Sequence, residues 1–257
     1  MAQWLRFQHD NRLEFGTLQD GIIQVFQGEM FAGPTATDRT VPLSDVHVHT
    51  PCDPSKMICL WNNFHELAAK LGSPAPYEPL YLLKAPSAFA AHGDTIHRPK
   101  SYAGKVVYEG ELGIVIGRRC FNISEAEAPG YIFGYSCVND VTAADLINKT
   151  PAFPQWTRAK SFDSFGAFGP VIATGLDSMT LRVRTVLDGR ERQNYPVSDM
   201  IFPPAKLVSL LSQDMTLLPG DVIACGTSIG VGTMKNPTNT VEISIEGVGM
   251  LRNTFGQ

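Results

Sequence analysis

The chain has 257 residues, of which 44% are hydrophobic and 18% are charged. This apolar content excludes a disordered chain, and the length suffices for one large domain or for a small domain beside a larger one. With 21 Lys and Arg against 25 Asp and Glu, the formal charge is −4, and no block of like charges occurs. Binding to nucleic acid or to an anionic membrane is therefore not expected, whereas an acidic small molecule needs only one local cation.

Residues 1–50 are predicted to form a small N-terminal module rich in β-strands. Pro51 and Pro54 mark its boundary with a second domain, which we predict to cover residues 51–257. The module is recognised from three short apolar runs separated by Asp, Asn and Gly, at residues 4–7, 13–15 and 22–26.

The second domain is predicted to consist of many short strands and few helices. Its first helix is expected at 64–71, where apolar residues have helical spacing and Gly72 provides a stop; a proline-rich extended stretch follows at 74–86. Strands are predicted at 105–116, 132–138, 171–173, 181–187, 222–224 and 241–245, and helical patches at 124–128, 143–149 and 205–211. This pattern predicts a β-rich α+β fold, built as a roll or sandwich.

The cysteines suggest neither a disulfide framework nor a zinc ribbon. They are odd in number, widely spaced and free of any Cys-x-x-Cys pair, at positions 52, 59, 120, 137 and 225. We expect reduced and mostly buried thiols. The sequence shows no signal-peptide pattern and no apolar run of 18 residues, so we expect a cytoplasmic protein without a membrane span.

Two glutamates lie in the most apolar of the predicted strands. Glu109 and Glu111 are two residues apart within 105–116, so on a strand their side chains point the same way. Burying two like charges is costly unless a positive group neutralises them, and hard divalent cations favour carboxylate oxygens. The alternative is an exposed edge strand with both glutamates in water.

A third acid favours the metal-site interpretation. Asp140 lies just beyond the predicted strand 132–138, with one residue between them. It could therefore complete a face of three carboxylates with open positions for water and substrate. Asp145 is more simply explained by the helical patch that contains it, and we do not predict it as a ligand.

Two other clusters have less specific interpretations. The glycine-rich segment 226–232 is neither a Walker loop nor a dinucleotide fingerprint; it could present backbone amides and the Thr227 hydroxyl to an anionic ligand, or form a plain tight turn. His47 and His49 would share a strand face and could bind zinc, but without a nearby third ligand a surface pair is favoured.

Several segments in order resemble the fumarylacetoacetate hydrolase superfamily. They are residues 108–117, 134–142, 158–163, 218–227 and 241–249. The resemblance implies a mixed β-sandwich roll, usually assembled as a homodimer. It also implies a Mg²⁺ or Mn²⁺ ion held by Glu109, Glu111 and Asp140, and a small acidic 2-oxo acid as the substrate.

The same resemblance assigns roles to other residues. Lys160 and Thr227, together with Gly226, would line the substrate carboxylate or carbonyl. Lys84 corresponds to a family lysine near the site and would also bind substrate. Lys160 would orient the enolate formed from the substrate or stabilise its negative charge.

The chain departs from the family pattern in a helical lid segment. Many members carry a His–Glu dyad there that activates water, whereas this chain has Leu67 and Lys70 at those positions. Two residues turn a side chain about 200° around a helix, so His65 cannot simply substitute for the missing histidine. It is the best remaining acid/base group nearby, and we predict a catalytic role for it if the lid closes differently. Ala144 also replaces a common family arginine.

These observations predict a metal-dependent enzyme acting on 2-oxo or 2-hydroxydienoic acids, as in the catabolism of aromatic compounds. Isomerisation and decarboxylation need a stabilised enolate but no well-placed hydroxide. They are therefore ranked above hydrolytic carbon–carbon cleavage of an acylpyruvate-type substrate. A metal-binding family member without catalytic activity is the remaining alternative.

Overall fold

The computed structural model describes residues 1–256. The predicted second domain ends one residue later, at Gln257, which lies outside the described residues. The N-terminal segment forms five strands, β1 (Ala2–His9), β2 (Arg12–Gln19), β3 (Ile22–Gln27), β4 (Thr35–Pro42) and β5 (His47–Val48). The three apolar runs predicted as strands lie in β1, β2 and β3.

The remainder of the described chain forms fifteen further strands and four α-helices. The strands before the second helix are β6 (Met57–Trp61), β7 (Leu80–Lys84), β8 (Phe89–Ala90), β9 (Thr95–His97), β10 (Val106–Tyr108), β11 (Gly110–Ile116), β12 (Ile132–Asp140) and β13 (Thr142–Ala143). Those after it are β14 (Gly166–Thr174), β15 (Arg182–Leu187), β16 (Arg190–Pro196), β17 (Val222–Ala224), β18 (Gly232–Thr233), β19 (Asn239–Ile245) and β20 (Gly249–Gly256).

Helices are short and few, which confirms the predicted β-rich α+β class. They are α1 (His65–Leu71), α2 (Ala144–Ile147), α3 (Trp156–Lys160) and α4 (Pro204–Asp214). The described chain also contains five 3-10 helices, at Leu43–Asp45, Pro86–Ala88, Ala128–Tyr131, Ser178–Thr180 and Val197–Asp199. Within residues 1–256, no helix is both long enough and apolar enough to cross a bilayer.

The strands are arranged in three sheets, one of them much larger than the others. The large sheet has the order β4-β3-β2-β1-β14-β12-β11-β17-β6-β7, with β5 beside β1 and β8 beside β14. A second sheet has the order β16-β15-β19-β20-β9, and a small third sheet has the order β13-β10-β18. The two larger sheets are mixed, since β6 runs parallel to β17 and β9 runs parallel to β20, whereas the small third sheet is antiparallel.

The N-terminal strands continue the sheet that carries the metal-ligand candidates. Strand β1 pairs antiparallel with β14, with Ala2 opposite Thr174 and Trp4 opposite Ile172. The backbone ladder therefore runs unbroken from residues 1–50 into the strands of the second predicted domain. The division at residue 51 stays a prediction.

The segment predicted as one strand, 105–116, is two strands in different sheets. Strand β10 belongs to the small sheet and β11 to the large one, and Glu109 stands between them. The turn there is held by two hydrogen bonds, from the Asp140 amide to the Glu109 carbonyl (2.9 Å) and from the Glu109 amide to Asn139 Oδ1 (3.2 Å). The single continuous strand was a wrong prediction.

The local sequence pattern predicted some of the helices correctly and others wrongly. Helix α1 is confirmed, and it ends as expected at Gly72, whose φ of 63° is the left-handed conformation that glycine adopts readily. The predicted helical patch at 124–128 is wrong: residues 125–127 form a turn, and Ala128 begins the 3-10 helix Ala128–Tyr131. Helix α3, which carries Lys160, has no counterpart among the predicted helices.

Strand β11 is buried along its whole length. Its alternate residues face two different hydrophobic clusters, Leu112 and Ile114 in one and Val115 in the other. Alternation places Glu111 on the same side as Val115, and its cross-strand partner is Val138 of β12, which belongs to the same cluster. The fold therefore places a carboxylate in an apolar interior.

Candidate metal centre

Three carboxylates meet where β10, β11 and β12 come together. Glu109, Glu111 and Asp140 each provide one oxygen, and these oxygens all lie within 4.8 Å of one another. The side chain of Asp140 is fully buried, as is Glu111, whereas the Glu109 side chain is 17% exposed. The cluster therefore reaches solvent on the side of Glu109.

Lys160 lies directly against two of the three carboxylates. Its Nζ is 2.8 Å from Glu109 Oε2 and 2.5 Å from Asp140 Oδ2. Burial alone would lower the pKa of Lys160, but Asp140, Glu109 and Glu111 together raise it. The Lys160 side chain is therefore an ammonium ion, able to attract an anionic substrate or to steady developing negative charge.

Lys84 contacts Asp140 from the protein interior and links it to three backbone carbonyls. Its Nζ is 2.7 Å from Asp140 Oδ1 and donates to the carbonyls of Val141 (3.2 Å), Lys160 (2.5 Å) and Phe165 (2.9 Å). Its side chain is fully buried. The resemblance implied a substrate contact for Lys84, but in the structure protein acceptors engage its N–H groups.

The pKa of Asp140 follows from these two lysines. Burial would raise the pKa of this carboxyl, but the ammonium groups of Lys160 and Lys84 outweigh burial and hold the pKa below its ordinary value of 3.8. Asp140 is therefore an anion at neutral pH.

Glu111 provides the test of whether the cluster fits a cation. Its Oε2 accepts a hydrogen bond from the Gly226 amide (2.8 Å), but its buried Oε1 has no hydrogen-bond partner among the described residues. Burial, then Asp140 and Glu109, raise the pKa of Glu111 well above 4.5. Two ammonium groups face three carboxylates, so one negative charge is left over. A hard divalent cation such as Mg²⁺ or Mn²⁺ would more than compensate this charge and would bind the free oxygen, which leaves a net positive site for an anionic substrate, so the residues fit it.

The glycine-rich segment positions the carboxylates. The Gly226 amide donates a hydrogen bond to Glu111. The φ of Gly226 is 88°, a backbone conformation that favours glycine. Thr227 Oγ1 donates to the Gly110 carbonyl (3.0 Å) and accepts from Gln193 Nε2 (2.8 Å). Both residues were predicted to bind substrate. In the structure their polar groups hold the chain around the three carboxylates.

Helix α1, which corresponds to the lid segment of the family, does not carry a catalytic His–Glu dyad. Leu67 packs against the main hydrophobic core, while Lys70 is exposed. His65, at the start of α1, is also exposed, and it is not part of the cluster that could hold a metal. Its predicted catalytic role remains untested.

The other sequence candidates do not form a second metal site within residues 1–256. The rings of His47 and His49 lie 5.0 Å apart, but no third ligand from the described chain joins them. Asp145 accepts hydrogen bonds from the Lys105 amide (2.9 Å) and the Tyr102 hydroxyl (3.2 Å), which accounts for it structurally.

Sequence reasoning missed the polar residues that support the cluster from the second sheet. Gln193 and Tyr195 of β16 are both 2% exposed, and the Tyr195 hydroxyl donates to the Gly110 carbonyl (2.5 Å). The available signal was the alternation of these two residues with Arg192 and Asn194, which indicates an inward-facing pair on a strand.

This mixed-sheet fold with a three-carboxylate centre defines the class of protein. Residues 56–256 match the family described as fumarylacetoacetate (FAA) hydrolase C-terminal, and the chain belongs to that family. Residues 2–51 match the family described as Rv2993c-like, N-terminal. The resemblance inferred from the sequence motifs is therefore confirmed.

Particular relatives are enzymes by name. Oxaloacetate tautomerase YisK of Bacillus subtilis is 37% identical over 227 residues, covering 83% of this chain and 74% of that protein. The structure of 2-hydroxyhepta-2,4-diene-1,7-dioate isomerase from Mycobacterium marinum is similar with a TM-score of 0.90 and 35% identity, covering 100% of this chain and 98% of that one. That of 5-carboxymethyl-2-hydroxymuconate delta-isomerase from Mycobacterium smegmatis is similar with a TM-score of 0.91 and 35% identity, covering 100% and 99%.

Proposed function

We propose that the chain is a Mg²⁺- or Mn²⁺-dependent enzyme that moves a proton on the carbon next to the carbonyl of a 2-oxo or 2-hydroxydienoic acid. The observation that carries the proposal is the buried cluster of Glu109, Glu111 and Asp140, with the free Glu111 oxygen and the Lys160 ammonium beside it. The names of the similar enzymes, a tautomerase and two isomerases, support the same class of reaction.

The residues suit an enolate intermediate. Glu109, Glu111 and Asp140 would hold the cation, which when bound supplies Lewis-acid stabilisation of negative charge on an enolate oxygen. Lys160 brings a fixed positive charge, so an anionic 2-oxo acid is drawn to the same place. Lys84 and the Gly226 amide keep Asp140 and Glu111 in position while charge develops.

The lid helix favours proton transfer over hydrolysis. Tautomerisation moves one proton from C3 to the carbonyl oxygen and uses no water as a nucleophile. Leu67 occupies the core side of α1 where many family members have the water-activating histidine. Decarboxylation of a β-oxo acid would also pass through an enolate, that of the product left after CO₂ is lost, so it is the outcome that the experiment must separate.

Hydrogen exchange at C3 tests the proposal. Protein stripped with EDTA and reloaded with Mn²⁺ should speed both the enol–keto conversion of oxaloacetate, followed by ultraviolet absorbance, and deuterium incorporation at C3 in D₂O, followed by NMR. Pyruvate release, assayed with lactate dehydrogenase, would instead report decarboxylation, and acetate released from acetylpyruvate would report hydrolysis. Retained Mn²⁺ binding without any turnover would support a non-catalytic family member.

We expect Lys160→Met to lower kcat/KM for C3 exchange by about 100-fold or more, the usual effect of removing one preorganised electrostatic group. The measurement is the exchange rate at saturating Mn²⁺. Arg158→Met is the matched control, since Arg158 is an exposed cation on the same helix and should leave the rate within about threefold. An unchanged rate in Lys160→Met would contradict its place in the site.

A further inference from the structure

Three side chains hold the backbone of Gly110, which lies between the ligand candidates Glu109 and Glu111. Its N–H donates to Gln193 Oε1 (3.1 Å). Its carbonyl accepts from the hydroxyls of Tyr195 (2.5 Å) and Thr227 (3.0 Å). The two peptide planes that join the ligands are thus fixed by hydrogen bonds from outside their own strand.

The second sheet packs directly onto this backbone. A Cβ atom at Gly110 would lie 2.0 Å from Thr185 Oγ1 and 3.2 Å from Gln193 Oε1. No side chain fits there, so glycine is required for close approach rather than for an unusual backbone angle. Strands β15 and β16, which carry Thr185 and Gln193, therefore set how far the ligand segment can move.

Gln193 also reaches the loop that holds Glu111. Its Nε2 donates to Thr227 Oγ1 (2.8 Å) and to the Ile229 carbonyl (3.2 Å), while its Oε1 accepts from Gly110. One buried amide therefore connects the Glu109–Glu111 segment to the loop whose Gly226 amide binds Glu111. Both polar atoms of the side chain are used, as a positioning role requires.

We propose that Gln193 is a positioning residue of the metal centre. It fixes the backbone between Glu109 and Glu111 relative to the Gly226–Thr227 loop, and it thereby sets the affinity of the three carboxylates for a divalent cation. The inference rests on the proposed function in that the cluster binds such a cation. Residues that orient metal ligands typically change metal affinity by 10- to 100-fold when mutated.

Mn²⁺ affinity of the intact protein tests this role. Titrations followed by electron paramagnetic resonance should show Gln193→Met binding Mn²⁺ about 10- to 100-fold more weakly than the unmodified protein, with a changed signal of the bound ion. Asn253→Leu is the matched control, because Asn253 is an equally buried amide of the same sheet, but its hydrogen bonds go to the carbonyls of Ala91 (2.8 Å) and Asp94 (3.0 Å) and not to the ligand segment. We expect its affinity to stay within about threefold of the unmodified protein.

A second variant distinguishes a positioning role of Gln193 from a general loss of structure. Thr227→Val removes the hydroxyl that links Gln193 to the Gly110 carbonyl, so it should also weaken Mn²⁺ binding, and the double variant should lose less than the product of the two single effects. Unchanged affinity in Gln193→Met, an equal loss in Asn253→Leu, or fully multiplicative effects would overturn the inference. If the unmodified protein binds no Mn²⁺, it is the proposed metal site that fails.

Discussion

Replacing Glu111 by glutamine is expected to abolish tight metal binding and, at the same time, to stabilise the metal-free protein. Removing one of three anionic ligands should weaken Mn²⁺ binding by on the order of 1,000-fold, or about 4 kcal/mol. The metal-free protein should gain roughly 1 to 3 kcal/mol, because a buried carboxylate with an unpartnered oxygen is replaced by a neutral amide. The amide oxygen can still accept from the Gly226 amide.

The gain in stability should depend on pH. Because the pKa of Glu111 is raised above 4.5 in the folded protein, the folded state holds the proton more tightly than the unfolded state does. Stability of the metal-free protein must then fall as pH rises from about 4.5 through the raised pKa. Glutamine does not titrate, so the difference between variant and unmodified protein should be smallest near pH 4.5 and should grow as pH rises through the raised pKa of Glu111.

Urea unfolding with EDTA and with excess Mn²⁺ measures both effects. At 100 times its dissociation constant, Mn²⁺ should stabilise the unmodified protein by about 2.7 kcal/mol and leave Glu111→Gln unchanged, so the difference in stability shifts by about that amount in favour of the unmodified protein. The exposed Glu246 gives a matched Glu→Gln control that should alter neither quantity. Tight Mn²⁺ binding by Glu111→Gln would contradict the ligand assignment.

The residues of the metal cluster were predictable, although part of the reasoning about their backbone was wrong. Glu109 and Glu111 were placed on one face of a single strand, yet Glu109 stands between strands of two sheets. The carboxylates still meet, because the backbone hydrogen bond from Asp140 to Glu109 closes the turn against β12. Such a bond joins residues distant in sequence, so strand alternation alone could not reveal it.

Lys84 and Gln193, which support the cluster, could not be predicted from the sequence, because their burial depends on partners elsewhere in the fold. Local pattern suggests that Lys84, after three apolar residues, is the exposed one, but Leu83 is 39% exposed and Lys84 is buried. Only its partner Asp140 explains this reversal. Gln193 is similar, since its hydrogen-bond partners lie in β11 and in the loop at 226–230. Burial of a polar residue depends on the tertiary partner, which no window of sequence contains.

Lys84→Met is expected to destabilise the metal-free protein by about 3 to 5 kcal/mol, the usual loss when one partner of a buried ion pair is removed. Methionine has a similar length but no donor, so Asp140 Oδ1 and the carbonyls of Val141, Lys160 and Phe165 all lose their ammonium partner. For a domain of this size the loss corresponds to roughly 2 to 4 °C in Tm per kcal/mol.

The sign of the pH dependence distinguishes this loss from simple loss of packing. The pKa of Asp140 is held below 3.8 partly by Lys84, so its contribution to stability is present above that value and disappears as pH falls through the lowered pKa. Without Lys84 this contribution shrinks. The difference in free energy of unfolding should therefore be largest near pH 7 and smaller near pH 3.

Urea unfolding of the metal-free proteins across this pH range measures the effect. Lys56→Met is a demanding comparison, since Lys56 forms an ion pair with the buried Asp221 (2.5 Å) but is itself 18% exposed. Partial solvation of Lys56 should limit its loss to well below that of Lys84→Met. Equal losses in the two variants, or a Lys84→Met loss independent of pH, would show that Lys84 stabilises the protein by packing alone. A large, pH-dependent loss would instead identify the Lys84–Asp140 pair as the charge balance that lets an acidic cluster form inside this sheet.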